Sequence, residues 1–335
     1  MASICKERHL AVQTRNGAEG DTVHPRVSVI AIFLNEERFI SEAIESVLAQ
    51  DFRHFEVILV DDGSTDESTT IARDYTARYA PVIRYLEHPG HQNLGQSASR
   101  NLGLAAARGE FVALLDADDV WEKTKLTEQL AIMNAFPELG MVCGAARYWS
   151  SWNGGNDVIV PTGHRYNAII LPPEAALALY PLGEADAPCP SDLLLRREVV
   201  TSVGKFEEHF AGPRQMYEDQ AFLIKLYLAT PVYFSDRVWL NYRLHADSSM
   251  AEAISQGRYH EWRFYFLNWL EAYLKTMPQP PDPRVFAALR NALWPYRHPR
   301  LHAATSRSHQ MLRSAWRSGR RLGKRAVGQM RRLDA

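Results

Sequence analysis

The segment Phe111-Val112-Ala113-Leu114-Leu115-Asp116-Ala117-Asp118-Asp119 constrains this chain more than any other: a short apolar run stops abruptly in three acids. An apolar run of that length between polar flanks reads as a buried strand of a parallel sheet. The acids lie where open α/β sheets bind their ligands, just outside the carboxyl ends of strands. Three carboxylates at one tip repel one another unless a cation sits among them. Hard divalent ions such as Mg²⁺ or Mn²⁺ take oxygen ligands and are often shared with substrate phosphates. The feature points to metal-assisted chemistry on a phosphorylated substrate.

A second acidic turn lies upstream, where the strand-like Glu56 to Val60 runs into Asp61-Asp62-Gly63-Ser64-Thr65-Asp66. The elements around the two turns alternate. Val27 to Phe33 reads as a strand, and Phe39, Ile40, Ile44, Val47 and Leu48 form one helical stripe. A polar helix from about Glu67 to Tyr79, a strand from Val82 to Leu86 and a helix from Gln96 to Ala107 follow. This rhythm calls for a parallel sheet with right-handed crossovers. Trp121 to Phe136 reads as another helix, Gly140 to Tyr148 as a strand, Tyr217 to Ala229 as a helix and Val232 to Tyr242 as a strand. Regular structure also resumes at Leu193 to Leu195 and Val199 to Val203. Between Ser150 and Pro190 the pattern is weak and loop-rich.

Composition excludes several classes. The net charge of −1 gives no global pull toward nucleic acid or membrane. Cys5, Cys143 and Cys189 lie far apart and suit a reducing cytoplasm better than a disulfide framework or a zinc site. No apolar run reaches the roughly 18 residues of a membrane span. Met1 to His24 is polar and reads as a mobile arm. The stretch from Ser306 to Ala335 carries nine Arg or Lys residues against Asp334 alone. It suits either a peripheral contact with anionic lipid or a solvated end. Nothing beside it resembles a base-stacking module, so no nucleic-acid partner is expected.

Each acidic turn has two readings. Asp61 and Asp62 either cap the following helix or accept hydrogen bonds from a base N–H or ribose hydroxyls. Asp116, Asp118 and Asp119 either complement a helix dipole or hold an ion against phosphate oxygens. Arg100 either faces a nucleotide or is a solvated helix residue.

Together these segments resemble the family 2 glycosyltransferases. The resemblance is carried by Val27-Ser28-Val29-Ile30 with Asn35-Glu36, Ala43 to Gln50, Val60 to Asp66, Ser99-Arg100-Asn101-Leu102-Gly103, Gly109-Glu110-Phe111 and Asp116 to Asp119. It is close over about residues 25–135 and looser to about 250. It implies a GT-A-like α/β fold, with a mostly parallel central sheet flanked by helices, and an inverting, metal-dependent transfer from a nucleotide-sugar donor. By that resemblance Asp62 meets the base or ribose, while Asp116 and Asp118 serve nucleotide and metal. The family expects a base in an acidic pair opening a later helix. Glu218-Asp219-Gln220 fits, with Asp219 as the base and Glu218 as its neighbour or an acceptor contact. Tyr242-Arg243-Leu244-His245 resembles a further element, where His245 completes a metal shell better suited to Mn²⁺ than to Mg²⁺ and Arg243 pairs with diphosphate. One departure is Leu34, which stands where the family often has an aromatic near the base.

The expected organisation is an arm at 1–24, a catalytic domain at 25–250 and a helical, basic C-terminal extension at 251–335. Within the catalytic domain, 25–135 is the nucleotide-binding half and 136–250 the acceptor half. The expected activity moves one sugar per encounter, from a donor that is first of all UDP-linked, to a hydroxyl of a glycan or lipid-linked acceptor, in the cytoplasm or on the cytoplasmic membrane face. Processive members carry a Gln-x-x-Arg-Trp element that is absent here. The rival readings are a sugar nucleotidyltransferase, for which Phe33 to Arg38 is a poor phosphate loop, and a catalytically silent nucleotide-sugar binder or membrane scaffold.

Overall fold

A computed structural model describes residues 24–163, 165–245 and 257–302. The proposed arm and the basic tail lie outside the described residues. The chain begins as a regular alternation: β1 (Val27–Phe33), α1 (Ile40–Leu48), β2 (Phe55–Asp61), α2 (Ser68–Arg78), β3 (Ile83–Glu87), α3 (Gln96–Ala106) and β4 (Phe111–Asp116). It continues through β5 (Val120–Trp121), α4 (Lys125–Ala135), β6 (Met141–Trp149), β7 (Val158–Val160), β8 (Ala168–Ile170), α5 (Glu174–Ala178), β9 (Leu194–Arg196) and α6 (Arg197–Ser202). A 3-10 turn, Gly212–Tyr217, leads into α7 (Glu218–Ala229) and β10 (Val232–Arg243), and α8 (Tyr259–Thr276) and α9 (Pro283–Arg297) complete the described chain.

The strands form one sheet in the order β3-β2-β1-β4-β9-β6-β10-β5, with β7 added on β6 and β8 on β10. Successive side chains on a strand face opposite ways, and β1 shows the consequence. Val27, Val29, Ala31 and Phe33 belong to a core with α1, α2 and α4, whereas Ile30 and Ile32 belong to a core with α5, α7, α8 and α9. All seven residues of both β1 and β2 are buried, which explains why they read as unbroken apolar runs.

The parallel arrangement holds for β3, β2, β1 and β4. Beyond β4 the sheet is mixed: β9 is antiparallel to β4 and β6, and β6 is parallel to β10. The helix expected from Trp121 begins instead at Lys125. Val120 and Trp121 pair with Asn241 and Leu240, and the Trp121 indole N–H donates to Ser191 O at 2.7 Å. A tertiary hydrogen bond and strand pairing outweigh the local helical pattern.

Register positions the site. β1 lies between β2 and β4, with Phe33 beside Asp61 and Ile32 beside Asp116. Both acidic turns therefore emerge from the same edge of the sheet.

Candidate functional site

At that edge opens a cleft of about 340 Å³. It is lined by Ile32 to Leu34, Glu36, Asp62, Gln96, Arg100, Asp116 to Asp118, Pro190, Gln215, Met216, Glu218, Asp219 and Tyr242. A second cavity of about 230 Å³, between α5 and β8, is lined by Arg165, Glu174 and mostly apolar side chains, without a comparable convergence of charge.

Arg100 organises the cleft. It projects from α3 and is 1 % exposed. Its Nη2 donates to Asp116 Oδ1 at 2.7 Å, and its Nη1 donates to Glu218 Oε1. Ser97 Oγ adds a long hydrogen bond to Glu218 Oε2 at 3.4 Å. The neighbouring carboxylates keep Arg100 charged despite its burial. Burial pushes Glu218 up to about 7 against the pull of Arg100, and it raises Asp116 as well. The solvated-helix reading of Arg100 is excluded.

The two acids of the first turn do different things. Asp61 is buried and faces inward. Oδ1 accepts the N–H groups of Gly63 and Ser64 at 3.1 and 2.8 Å, and Oδ2 accepts Thr69 Oγ1 and Tyr85 Oη. It shapes the turn and is not on the cleft wall. Gly63 is needed there: its φ is +88°, and an added Cβ would lie 2.8 Å from Asn93 N. Asp62 does line the cleft, where it accepts the N–H groups of Leu94 and Gly95 at 2.9 to 3.1 Å.

The second turn carries a surplus of negative charge. Asp118 Oδ2 lies 3.1 Å from His245 Nε2. Asp119 is buried. Its Oδ1 accepts the Arg243 N–H at 2.9 Å, but Oδ2 has no hydrogen-bond partner. Burial, together with Asp118 and Asp116, raises the Asp119 carboxyl well above its ordinary range. Glu36 is pushed up to about 8 by burial and by the same two aspartates. Nothing in the sequence assigned Glu36 a place in the site beyond its motif position. Among the described residues no three His, Cys, Asp or Glu side chains gather closely enough to cage a metal unaided. Asp118 and His245 are two donors of the right chemistry for an ion that takes its remaining ligands from a diphosphate.

Arg243 does not reach the cleft wall. Its guanidinium lies among the rings of Trp149, Phe39 and Trp152, 4.4, 4.6 and 5.0 Å from their centroids. It donates to Asp118 O at 2.7 Å and to Glu42. It is a strut beneath the second turn, a role that no spacing rule announces. Ser191 is another such residue, since its hydroxyl accepts the Asp116 N–H at 3.0 Å.

Glu218 and Asp219 also line the cleft and open α7, where the helix dipole favours negative charge. Glu218 is buried against Arg100, while Asp219 is partly exposed to the cleft. Asp219 Oδ1 accepts the Gln220 N–H at 2.6 Å, and burial pushes its carboxyl up to about 6.

The model of glycosyl transferase family 2 matches residues 28–200, just over half of the chain. Among curated proteins, the putative glycosyltransferase EpsE of Bacillus subtilis is 38 % identical over 109 residues, which span 32 % of this chain and 38 % of EpsE. The putative teichuronic acid biosynthesis glycosyltransferase TuaG of the same organism is 41 % identical over 110 residues, 32 % of this chain and 42 % of TuaG. The chain thus spans about two fifths of the length of those relatives. A Rickettsia prowazekii glycosyltransferase is 27 % identical over 238 residues, 71 % of this chain and 70 % of that protein. Among solved structures, S. aureus TarS 1-349 in complex with UDP-GlcNAc superposes with a TM-score of 0.61 at 21 % identity, covering 80 % of this chain and 71 % of that one. The Pyrobaculum calidifontis mannosyltransferase PcManGT, in complex with GDP-Man and Mn²⁺, superposes with a TM-score of 0.52 at 20 % identity, covering 87 % and 81 %. Both acidic turns lie within that match, and this chain belongs to glycosyl transferase family 2.

Proposed function

We propose that the protein is an inverting glycosyltransferase that moves one sugar from a nucleoside-diphosphate sugar, UDP-linked first of all, to a hydroxyl of a glycan or lipid-linked acceptor. The observation that carries the reading is the shared cleft: Asp62, Arg100, Asp116, Asp118 and Asp219 all line one opening. Family membership supports the transferase class, and the UDP-GlcNAc of TarS and the GDP-Man of PcManGT support a nucleotide-sugar donor.

In this reading Asp62 orients the base or ribose at the end of β2. Asp118 and His245 hold a divalent cation, Mn²⁺ before Mg²⁺ because of the imidazole. Once bound, the cation would neutralise charge on the departing diphosphate. Asp116 is held in place by Arg100. Asp219 takes the acceptor hydroxyl's proton as that oxygen attacks the anomeric carbon. The bond from that carbon to the phosphate oxygen breaks, and the nucleoside diphosphate leaves on the opposite face. A carboxylate with a pKa near 6 is largely ionised at neutral pH yet basic enough to accept a proton. Glu218 is a poorer base because its charge is committed to Arg100.

The supports for Asp61 and Arg243 are structural ones. Each satisfies backbone or side-chain groups beneath the cleft, so neither is proposed as a donor contact. Among the described residues no helix is long and apolar enough to cross a membrane, and contact of the basic tail with anionic lipid remains part of the proposal.

The test is turnover of a panel of nucleotide sugars with Mn²⁺, scored by release of nucleoside diphosphate. The reading expects release by the native protein and its loss in Asp118→Ala. A silent binder or scaffold would release none.

A further inference from the structure

The turn that presents Glu218 and Asp219 is held from behind by α8. Tyr217, the residue before the pair, is buried, and its hydroxyl is hydrogen-bonded to that of Tyr180. The Tyr180 hydroxyl lies 2.5 Å from that of Tyr259, the first residue of α8. Each hydroxyl has one proton to donate and lone pairs to accept, so the middle tyrosine can serve both neighbours and the three form a directed chain. Further along α8, Phe266 stacks on Tyr217 with centroids 5.3 Å apart and rings inclined by 25°. Arg263 donates to Pro181 O at 3.0 Å, tying the residue after Tyr180 to the same helix. Arg214, in the 3-10 turn before the pair, lies over Tyr265 at 4.3 Å. All of α8, with Tyr217, lies beyond residues 28–200, so only Tyr180 and Pro181 of this buttress fall within the stretch that the family model matches.

Tyr217 caps α7, and its backbone torsions set the direction of the helix's first turn. Fixing its side chain at both ring and hydroxyl therefore fixes where the next two residues point. Gln215 and Met216 of the same 3-10 turn line the cleft. A displacement of this segment would alter the acceptor side while leaving β1, β2 and β4 in place.

We infer that Tyr259 and Tyr180 are positioning residues for the acid pair: through Tyr217 they hold the first turn of α7, so that α8 sets the aim of Asp219. The catalytic half of this inference rests on the reading of Asp219 as the base. The mechanical half does not.

The test uses the full chain and four variants. Tyr259→Phe and Tyr180→Phe each keep the ring and delete one hydroxyl. Tyr166→Phe is the control, since its hydroxyl only meets Gly163 O at 3.2 Å near the surface. Backbone hydrogen exchange over residues 212–222 should rise about threefold or more in the first two variants and stay unchanged in the control. In the same variants kcat should fall about fivefold or more, with nucleotide-sugar KM unchanged, because only the aim of the base has changed. Should both exchange and kcat stay within about twofold of the native values, the inference is overturned. Faster exchange with kcat unchanged also overturns it, since the chain would then hold the segment without aiming the base. If Asp219→Asn retains native turnover, the base assignment has failed instead, and the exchange result alone decides whether α8 holds the turn.

Discussion

Arg100 lies between Asp116, at the tip of β4, and Glu218, at the start of α7, and donates to both from a fully buried position. One side chain thus links the acidic strand tip to the helix that carries the acid pair. Its planar fork suits two carboxylates approaching from different directions, which a lysine's point charge does not.

Removing that link should be costly. Arg100→Met would leave the buried Glu218 and the partly exposed Asp116 without their common partner, and breaking a buried pair such as Arg100 with Glu218 costs about 3–5 kcal/mol. The urea midpoint should fall with little change in m-value. Arg100→Lys should recover part of the loss. A midpoint within error of the native protein in Arg100→Met would show that the bridge contributes nothing.

Asp219 gives a pH signature. A base acts deprotonated, so kcat should be present above about pH 6 and lost as the pH falls through that value. Asp219→Asn should lower kcat by about 10²- to 10⁴-fold with donor affinity retained. Stability runs the other way. The native carboxyl binds its proton more tightly than the unfolded one, so its contribution to stability diminishes as pH rises from the ordinary carboxylate range through about 6. Asp219→Asn should therefore raise Tm at pH 8 and leave it unchanged at pH 3. The opposite trend would refute the assigned shift.

His245 should tune metal choice. His245→Ala leaves Asp118 as the sole protein donor of the pair and should weaken Mn²⁺ binding by about tenfold or more, with a smaller effect on Mg²⁺. Isothermal titration in the presence of nucleoside diphosphate measures both ions. Equal losses for the two would argue against direct coordination through the imidazole.

Asp61 and Arg243 should behave as struts. Asp61→Ala leaves two turn N–H groups and the Thr69 hydroxyl without their acceptor, at a cost of about 2–3 kcal/mol. Arg243→Lys loses the planar stack among three rings and the fork to Asp118 and Glu42. Both changes should lower Tm. Neither should change nucleotide affinity measured without metal, whereas a residue that touches diphosphate would lower it.

Sequence reasoning went furthest where local physics is decisive. β1 is bounded as expected, and α3 and β4 end within one residue of their expected ends, because strands buried on both faces are written as unbroken apolar runs and their tips as turn residues. The same logic located Asp62, Asp116 and Asp118 at one edge. It failed where pairing between distant segments decides. Trp121 joined a strand through Leu240, and the mixed half of the sheet depends on β9 inserting between β4 and β6. Asp61 and Asp62 are adjacent and chemically identical, and only the turn geometry separates scaffold from cleft wall. The fork of Arg243 suits phosphate, but its surroundings are aromatic rings contributed from two separate places in the chain. Glu36 and Ser191 enter the site by tertiary contact, for which spacing offers no signal.

The most direct measurement is calorimetric titration of UDP into the native protein and Asp118→Ala, each with and without Mn²⁺. Asp118 and His245 holding a cation against the pyrophosphate require that Mn²⁺ tighten UDP binding by about tenfold or more in the native protein and not in the variant. UDP affinity indifferent to both Mn²⁺ and the substitution would contradict it.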